Sequence, residues 1–164
     1  MDTLTAMYSR MIAKISGRSE EFCQKVFYCG LLHDCGKISV GDTILSKTES
    51  LTEEELNIVR AHTHKGYELL KSLSSIPEAC QTALYHHERF DGTGYPEHLS
   101  GKLIPEAARI VAIADSFDVM STERYYRKGL PREKILEELK DNSGTQFDPE
   151  FVNAFLKLVE ENRI

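Results

Sequence analysis

The chain has 164 residues, 41% of them apolar and 28% charged. That balance excludes a disordered polypeptide and fits one globular domain over 1–164, burying roughly 68–70% of its unfolded surface. No run approaches the roughly 18 apolar residues of a membrane span, and no basic region followed by an apolar stretch opens the chain, so a cytoplasmic location is expected. The net charge of −6, from 26 acidic and 20 basic residues, lacks the basic stripe that duplex nucleic acid requires. An anionic substrate remains compatible with it, because bound cations reverse the local field.

From Thr3 to Ile15 the apolar residues Leu4, Met7, Met11, Ile12 and Ile15 follow helical spacing, and Gly17 ends the run. Ser19 is placed to cap a second helix from Glu20 to about His33, apolar over much of its circumference. Thr52 and Glu55 form a capping box for a helix running towards Leu70 with a kink, and Glu53-Glu54-Glu55 suits the positive end of its macrodipole. A further helix is expected from Pro77 to about His86. Between His87 and Pro105 the helical pattern gives way to Gly92, Gly94, Pro96 and Gly101, a loop long enough to be functional. Helical spacing returns at Ala107 and runs to Met120. Pro131 opens a helix to about Asp141, and Asp148-Pro149 caps and starts a last one ending near Asn162. With no alternating strand pattern, the fold class expected is all-α. The four cysteines, Cys23, Cys29, Cys35 and Cys80, form no CxxC pair and read as reduced thiols in apolar sequence.

All six histidines lie between positions 33 and 98. His33-Asp34, His62, His86-His87 and Asp115 each fall near a helix end or on an apolar helix face. Taken singly, each is an ordinary core or surface residue. Together they form the imidazole–carboxylate set that suits iron, manganese, nickel or zinc. Adjacent helical residues point ~100° apart, so His33 and Asp34 serve one centre only at a helix end or across two metals. A bridging carboxylate with two cations ~3.5–4 Å apart is the arrangement that displaces a phosphodiester oxygen in line. There is neither a nucleophile elbow nor a Walker-type phosphate loop. Spacing alone therefore points to a binuclear, phosphate-directed hydrolase.

The same residues carry a resemblance. His33-Asp34-Cys35-Gly36-Lys37 resembles the HDxGK signature of the HD superfamily of metal-dependent phosphohydrolases, and His86 to Pro96 is similar to the HHExxDGxGYP signature of its HD-GYP branch. Leu51 to Glu55 before His62, and Ala112-Ile113-Ala114-Asp115 further on, agree with it. The resemblance implies a compact helical domain that hydrolyses cyclic di-GMP to linear pGpG or GMP with a metal-activated water. It implies metal ligands at His33, Asp34, His62, His86, His87 and Asp115, with Asp34 bridging. Two divalent ions are implied, iron or manganese first, with nickel, zinc or magnesium as further options. Lys37 takes a catalytic place beside the scissile phosphate, Arg124 and Arg127 join it in holding phosphates, and Tyr95 caps the pocket. The loop bearing Tyr95-Pro96 is also linked by the resemblance to diguanylate cyclase contacts.

The chain departs from the family at several points. A further histidine expected about 32 residues before the HD pair falls on Met1, with Asp2 as a substitute. A whole protein of this sequence would then hold a binuclear site, whereas a fragment would have those ligands upstream. Tyr125 replaces a proline and Val119 an alanine on the phosphate side. His64 and His98 match no ligand position and are expected to face solvent. Cys35 reads as a small core residue, and Glu88 as a partner orienting an imidazole or as half of a salt bridge. Two other functions stay open: a docking module of low turnover, and a phosphodiesterase for another cyclic dinucleotide.

Overall fold

In the computed structural model the described residues are 2–72, 76–122 and 129–164, and they are helical with no strand among them. Helix α1 (Asp2–Ile15) lies on α2 (Glu20–Leu32), which starts where the Ser19 hydroxyl accepts the Phe22 N–H at 3.2 Å. A 3-10 turn (Cys35–Ser39) and a single turn α3 (Asp42–Leu45) follow; neither has enough periodicity to be read from sequence. Next come α4 (Glu53–Arg60), α5 (His62–Leu70), α6 (Pro77–Tyr85), α7 (Glu106–Ser121), α8 (Arg132–Asp141) and α9 (Pro149–Glu160). Helix α7 is central. Ala107, Ala108, Ile110, Val111, Ile113, Ala114 and Phe117 are buried, and α1, α2, α6, α8 and α9 pack around it. Phe151, Phe155 and Leu158 of α9 complete the core. Among the described residues no helix is long and apolar enough to cross a membrane.

The kinked helix expected from Thr52 to Leu70 is two helices. Its capping box forms as expected, with Thr52 Oγ1 accepting the Glu55 N–H at 3.2 Å and Glu55 Oε2 accepting the Thr52 N–H at 2.8 Å. The break at Ala61 has a local cause. His62 donates a ring N–H to the Val59 carbonyl at 2.6 Å and Thr63 donates its hydroxyl to the Arg60 carbonyl at 3.1 Å. Side chains thus take acceptors that a continuous helix would use for itself. The break turns His62 inward as the first residue of α5, where it is 1% exposed.

Gly36 couples this break to the HD pair. A Cβ on Gly36 would lie 1.9 Å from the His62 carbonyl oxygen and 2.5 Å from the Gly66 nitrogen, so the 3-10 turn after Asp34 seats backbone-to-backbone on α5. The obstacle is main chain and cannot swing aside. Gly36→Ala is expected to destabilise the fold by at least about 3 kcal/mol in chemical denaturation. Gly41→Ala, whose Cβ meets only Thr43 at 3.7 Å, is expected to stay within about 0.5 kcal/mol. Equal effects at the two positions would contradict this packing.

Candidate metal centre

Three histidines end or begin helices in the same way. His33, the residue after α2, sets Nδ1 2.7 Å from the Gly30 carbonyl; His62 sets Nδ1 2.6 Å from that of Val59; His86, after α6, sets Nδ1 3.0 and 3.1 Å from those of Thr82 and Ala83. A carbonyl only accepts, so each Nδ1 carries a proton and each ring turns its Nε2 away from the helix end. Those Nε2 atoms converge on Asp34. His62 and His86 lie 3.4 and 3.7 Å from Oδ1, and His33 lies 3.5 Å from Oδ2. His33 Nε2 is also 3.5 Å from Asp115 Oδ1. The two carboxylate oxygens of Asp34 therefore face different partners, His62 and His86 on one side and His33 with Lys37 on the other.

This arrangement is incomplete as a hydrogen-bonded cluster. His62 Nε2 and His86 Nε2 stand 3.4 Å apart beside Asp34 Oδ1. His33 Nε2 and Asp34 Oδ1 are buried without a hydrogen-bond partner, the separations of 3.5 Å at the first and of 3.4 and 3.7 Å at the second being too long to serve. Buried polar atoms are ordinarily satisfied. Lone pairs aimed at a common point are what a divalent cation requires, and ligand atoms of Asp34, His62, His86 and His87 all lie within 4.8 Å of one another. These residues fit divalent metal; the donor set does not select which.

Burial and neighbouring charge set the protonation states. Burial pulls the His62 imidazole down to about 4, the Val59 carbonyl only partly opposing it. Burial, with His86 and His62 close by, holds His87 well below the ordinary histidine range. For His33 burial acts downward, but the Asp115 and Asp34 carboxylates outweigh it and its pKa is raised. Asp34 and Asp115 are held below the usual carboxylate range: burial pushes both upward, and the imidazoles outweigh it, His86 and His33 for Asp34 and His33 for Asp115. The site is therefore ionised at its carboxylates and neutral at His62 and His87 near pH 7.

Lys37 bonds Asp34 Oδ2. A polar cavity of about 310 Å³ opens on the centre, lined by His86, His87 and Asp115 and by Arg60, Tyr95 and Gln146 among others. The Tyr95 ring turns inward and stacks on His87, centroids 4.9 Å apart and planes 23° apart. Its loop is anchored where Phe90 and Asp91 donate N–H groups to the Gln146 and Thr145 carbonyls at 3.1 and 2.7 Å. Gly94 sits so close to the chain that a Cβ would lie 2.3 Å from the Arg89 nitrogen. Glu88, 4% exposed, neither orients an imidazole nor forms an ion pair among the described residues. Its Oε1 accepts the Glu97 N–H at 2.7 Å and so fastens the loop to itself. His64 and His98 are exposed, as expected. Arg124, Arg127 and Tyr125, the side chain of Asp2, and Met1 lie outside the described residues. Arg60 and Gln146 were not singled out in the sequence. Arg60 had one available signal, a cation in the last helical turn two residues before a ligand candidate; Gln146 sits in an irregular turn with none.

Comparison with known proteins agrees with this geometry. Residues 1–151 match the family model described as HD domain. The chain is 43% identical over 155 residues to a cyclic di-GMP phosphodiesterase of Thermotoga maritima, covering 93% of this chain and 42% of that protein. It is 35% identical over 158 residues to 3'3'-cGAMP-specific phosphodiesterase 2 of Vibrio cholerae, covering 95% of this chain and 30% of the relative. The chain thus spans less than half the length of either. In fold it is similar to a solved HDG"Y"P protein of Bdellovibrio bacteriovorus, with a TM-score of 0.77 at 18% identity over 97% of this chain and 51% of that one. With its HDxGK pair, its HHExxDGxGYP run and the histidine-ringed carboxylate they build, the chain belongs to the HD-domain family, in the HD-GYP branch.

Proposed function

We propose that this chain is a metal-dependent phosphodiesterase that opens cyclic di-GMP to linear pGpG, and onward to GMP, at a binuclear centre. The observation that carries it is the convergence of the His62 and His86 Nε2 atoms, 3.4 Å apart, on Asp34 Oδ1. His62, His86 and His87 would hold one cation with Asp34 Oδ1; His33 and Asp115 would hold the other with Asp34 Oδ2. When bound, two divalent ions supply the positive charge that activates a water and steadies the departing oxygen of a phosphodiester. The donor set accepts iron or manganese, with nickel, zinc and magnesium as alternatives.

The chain's own groups have definable parts in this chemistry. The backbone carbonyls of Gly30, Val59, Thr82 and Ala83 orient the three imidazoles, and at His62, where burial lowers the pKa to about 4, no proton needs to leave Nε2 at neutral pH. Lys37, adjacent to Asp34, is placed to neutralise charge developing on a phosphate oxygen. Tyr95 closes the cavity side of His87. A cytoplasmic setting accords with buried thiols at Cys23 and Cys29, the latter pushed up to about 11 by burial. A second substrate deserves a direct comparison, because the chain is also similar to a 3'3'-cGAMP-specific enzyme. Hydrolysis of both cyclic dinucleotides by anaerobically metal-loaded protein, followed by chromatography, tests the proposal. Turnover of cyclic di-GMP to pGpG or GMP is expected, with a loss of about 10³-fold or more in the His33→Ala, Asp34→Ala double variant. Cyclic di-GMP left intact beside cleaved cGAMP would move the substrate; both left intact by metal-loaded protein would contradict the activity.

Proton and metal compete for the same nitrogens. In chelator-treated protein, His62 folds with its pKa lowered from 6.5 to about 4, so the unfolded chain takes up a proton in that window while the folded chain does not. Its contribution to stability is present above pH 6.5 and lost as the pH falls towards 4. His33 runs the other way: with its pKa raised, its contribution is present below 6.5 and lost as the pH rises through the folded value. Metal-free stability, read from denaturation midpoints, is expected to climb from pH 4 to about 6.5 and to decline above it. A midpoint unchanged across that range would contradict these shifts.

A further inference from the structure

Two arginines line the cavity beside the metal centre, and they differ in their commitments. Arg89 is fully engaged in fixing its loop. Its Nε donates to Thr93 at 2.9 Å, Nη1 to the Gln146 side chain at 2.9 Å, and Nη2 to Asp91 at 3.2 Å. Arg60 makes no ion pair among the described residues. Its guanidinium rests on the Tyr95 ring, 5.3 Å from the centroid, and Tyr95 in turn stacks on His87. A guanidinium attracted to the face of an aromatic ring spends none of its N–H donors on an ion pair and keeps them for an oxygen ligand. Lys37, a further cation near the centre among the described residues, is bonded to Asp34.

We propose that Arg60 is a substrate-binding residue that holds the second phosphodiester of a cyclic dinucleotide while the first lies at the metal centre. This rests on the phosphodiesterase function proposed above. A cyclic dinucleotide carries two phosphodiester anions. The one to be cleaved finds its counter-charge at the metals and Lys37. The other enters a cavity whose wall also includes the carboxylates Glu88 and Asp115, and burying it there without a cation would be costly. Arg89 is already balanced by Asp91. That leaves Arg60 among the described lining residues, drawn to the Tyr95 ring and able to grip two phosphate oxygens at once. Its position is tied to the centre: the Ala61 break that turns His62 inward also fixes the end of α4, so Arg60 and the ligand two residues on are set by one backbone feature.

The test compares substrates with two phosphodiesters and with one. Metal-loaded wild type, Arg60→Ala and Arg60→Lys are assayed with cyclic di-GMP, 3'3'-cGAMP and bis(p-nitrophenyl) phosphate, with metal content measured on each sample. Arg60→Ala is expected to raise KM for the cyclic dinucleotides about tenfold or more, with kcat within about threefold. Bis(p-nitrophenyl) phosphate hydrolysis and metal content are expected to stay at the wild-type level, and Arg60→Lys to recover part of the loss. Unchanged KM for the cyclic dinucleotides would overturn the proposal. So would an equal loss on the single-phosphodiester substrate, which would mean that Arg60 acts through Tyr95 and His87 on the metals. Failure of the wild type to cleave any cyclic dinucleotide would be a failure of the function proposed above. Equilibrium binding of fluorescent cyclic di-GMP then decides Arg60 separately: a Kd weakened about tenfold in Arg60→Ala supports its role, and an equal Kd overturns it.

Discussion

Everything around this site depends on hydrogen bonds that spend one nitrogen of an imidazole in order to free the other. His33, His62 and His86 each give Nδ1–H to a carbonyl in the last turn of a helix. That bond ends the helix, orients the ring and points its Nε2 inward, all by one contact. Repeated at the ends of α2, α4 and α6, it gathers three Nε2 atoms around the carboxylate of Asp34. Burial then keeps His62 and His87 neutral, while His86, His33 and Lys37 keep Asp34 ionised. The resulting cluster is stable as a protein fold yet unsatisfied as a hydrogen-bond network, which is the condition in which a cation binds.

The scaffold is built to hold those helix ends in register. Central α7 brings Asp115 to His33 from within the core, and its apolar residues fix the helices around it. Gly36 lets the turn after the HD pair seat directly on α5, so that Asp34 and His62 meet across a backbone contact and not through side chains that could rotate. On the open side, the loop from His87 is fastened by Glu88, Arg89 and Gln146, and it delivers Tyr95 against His87. The histidine side of the cavity is thus set by helices, and the opposite side by a loop clamped at several points.

Much of this was legible in the sequence because it rests on local rules. The Ser19 cap, the Thr52–Glu55 capping box and the Asp148-Pro149 start all fall where side-chain chemistry places them. The histidine and aspartate candidates could be listed as a set because imidazoles and carboxylates in helical, apolar settings have few other uses in combination. The split at Ala61 was visible only as a kink, since it is caused by side-chain bonds to Val59 and Arg60 carbonyls that leave no mark on periodicity. Glu88 was assigned an imidazole or a salt bridge and instead holds a backbone N–H nine residues on, a choice made by the path of the loop. Arg60 escaped notice for the same reason: its partner, Tyr95, is distant in sequence and is brought to it only by that loop.

The central claim is that one carboxylate, Asp34, is shared by two cations, one held also by His62, His86 and His87 and the other by His33 and Asp115. Metal analysis of anaerobically reconstituted wild type, Asp34→Asn and His62→Ala tests it most directly. Sharing predicts about two ions per chain in the wild type, about one in His62→Ala, and fewer than one in Asp34→Asn, where both sites lose a ligand at once. An Asp34→Asn protein that still holds about two ions, or a wild type that holds no more than one, would contradict it.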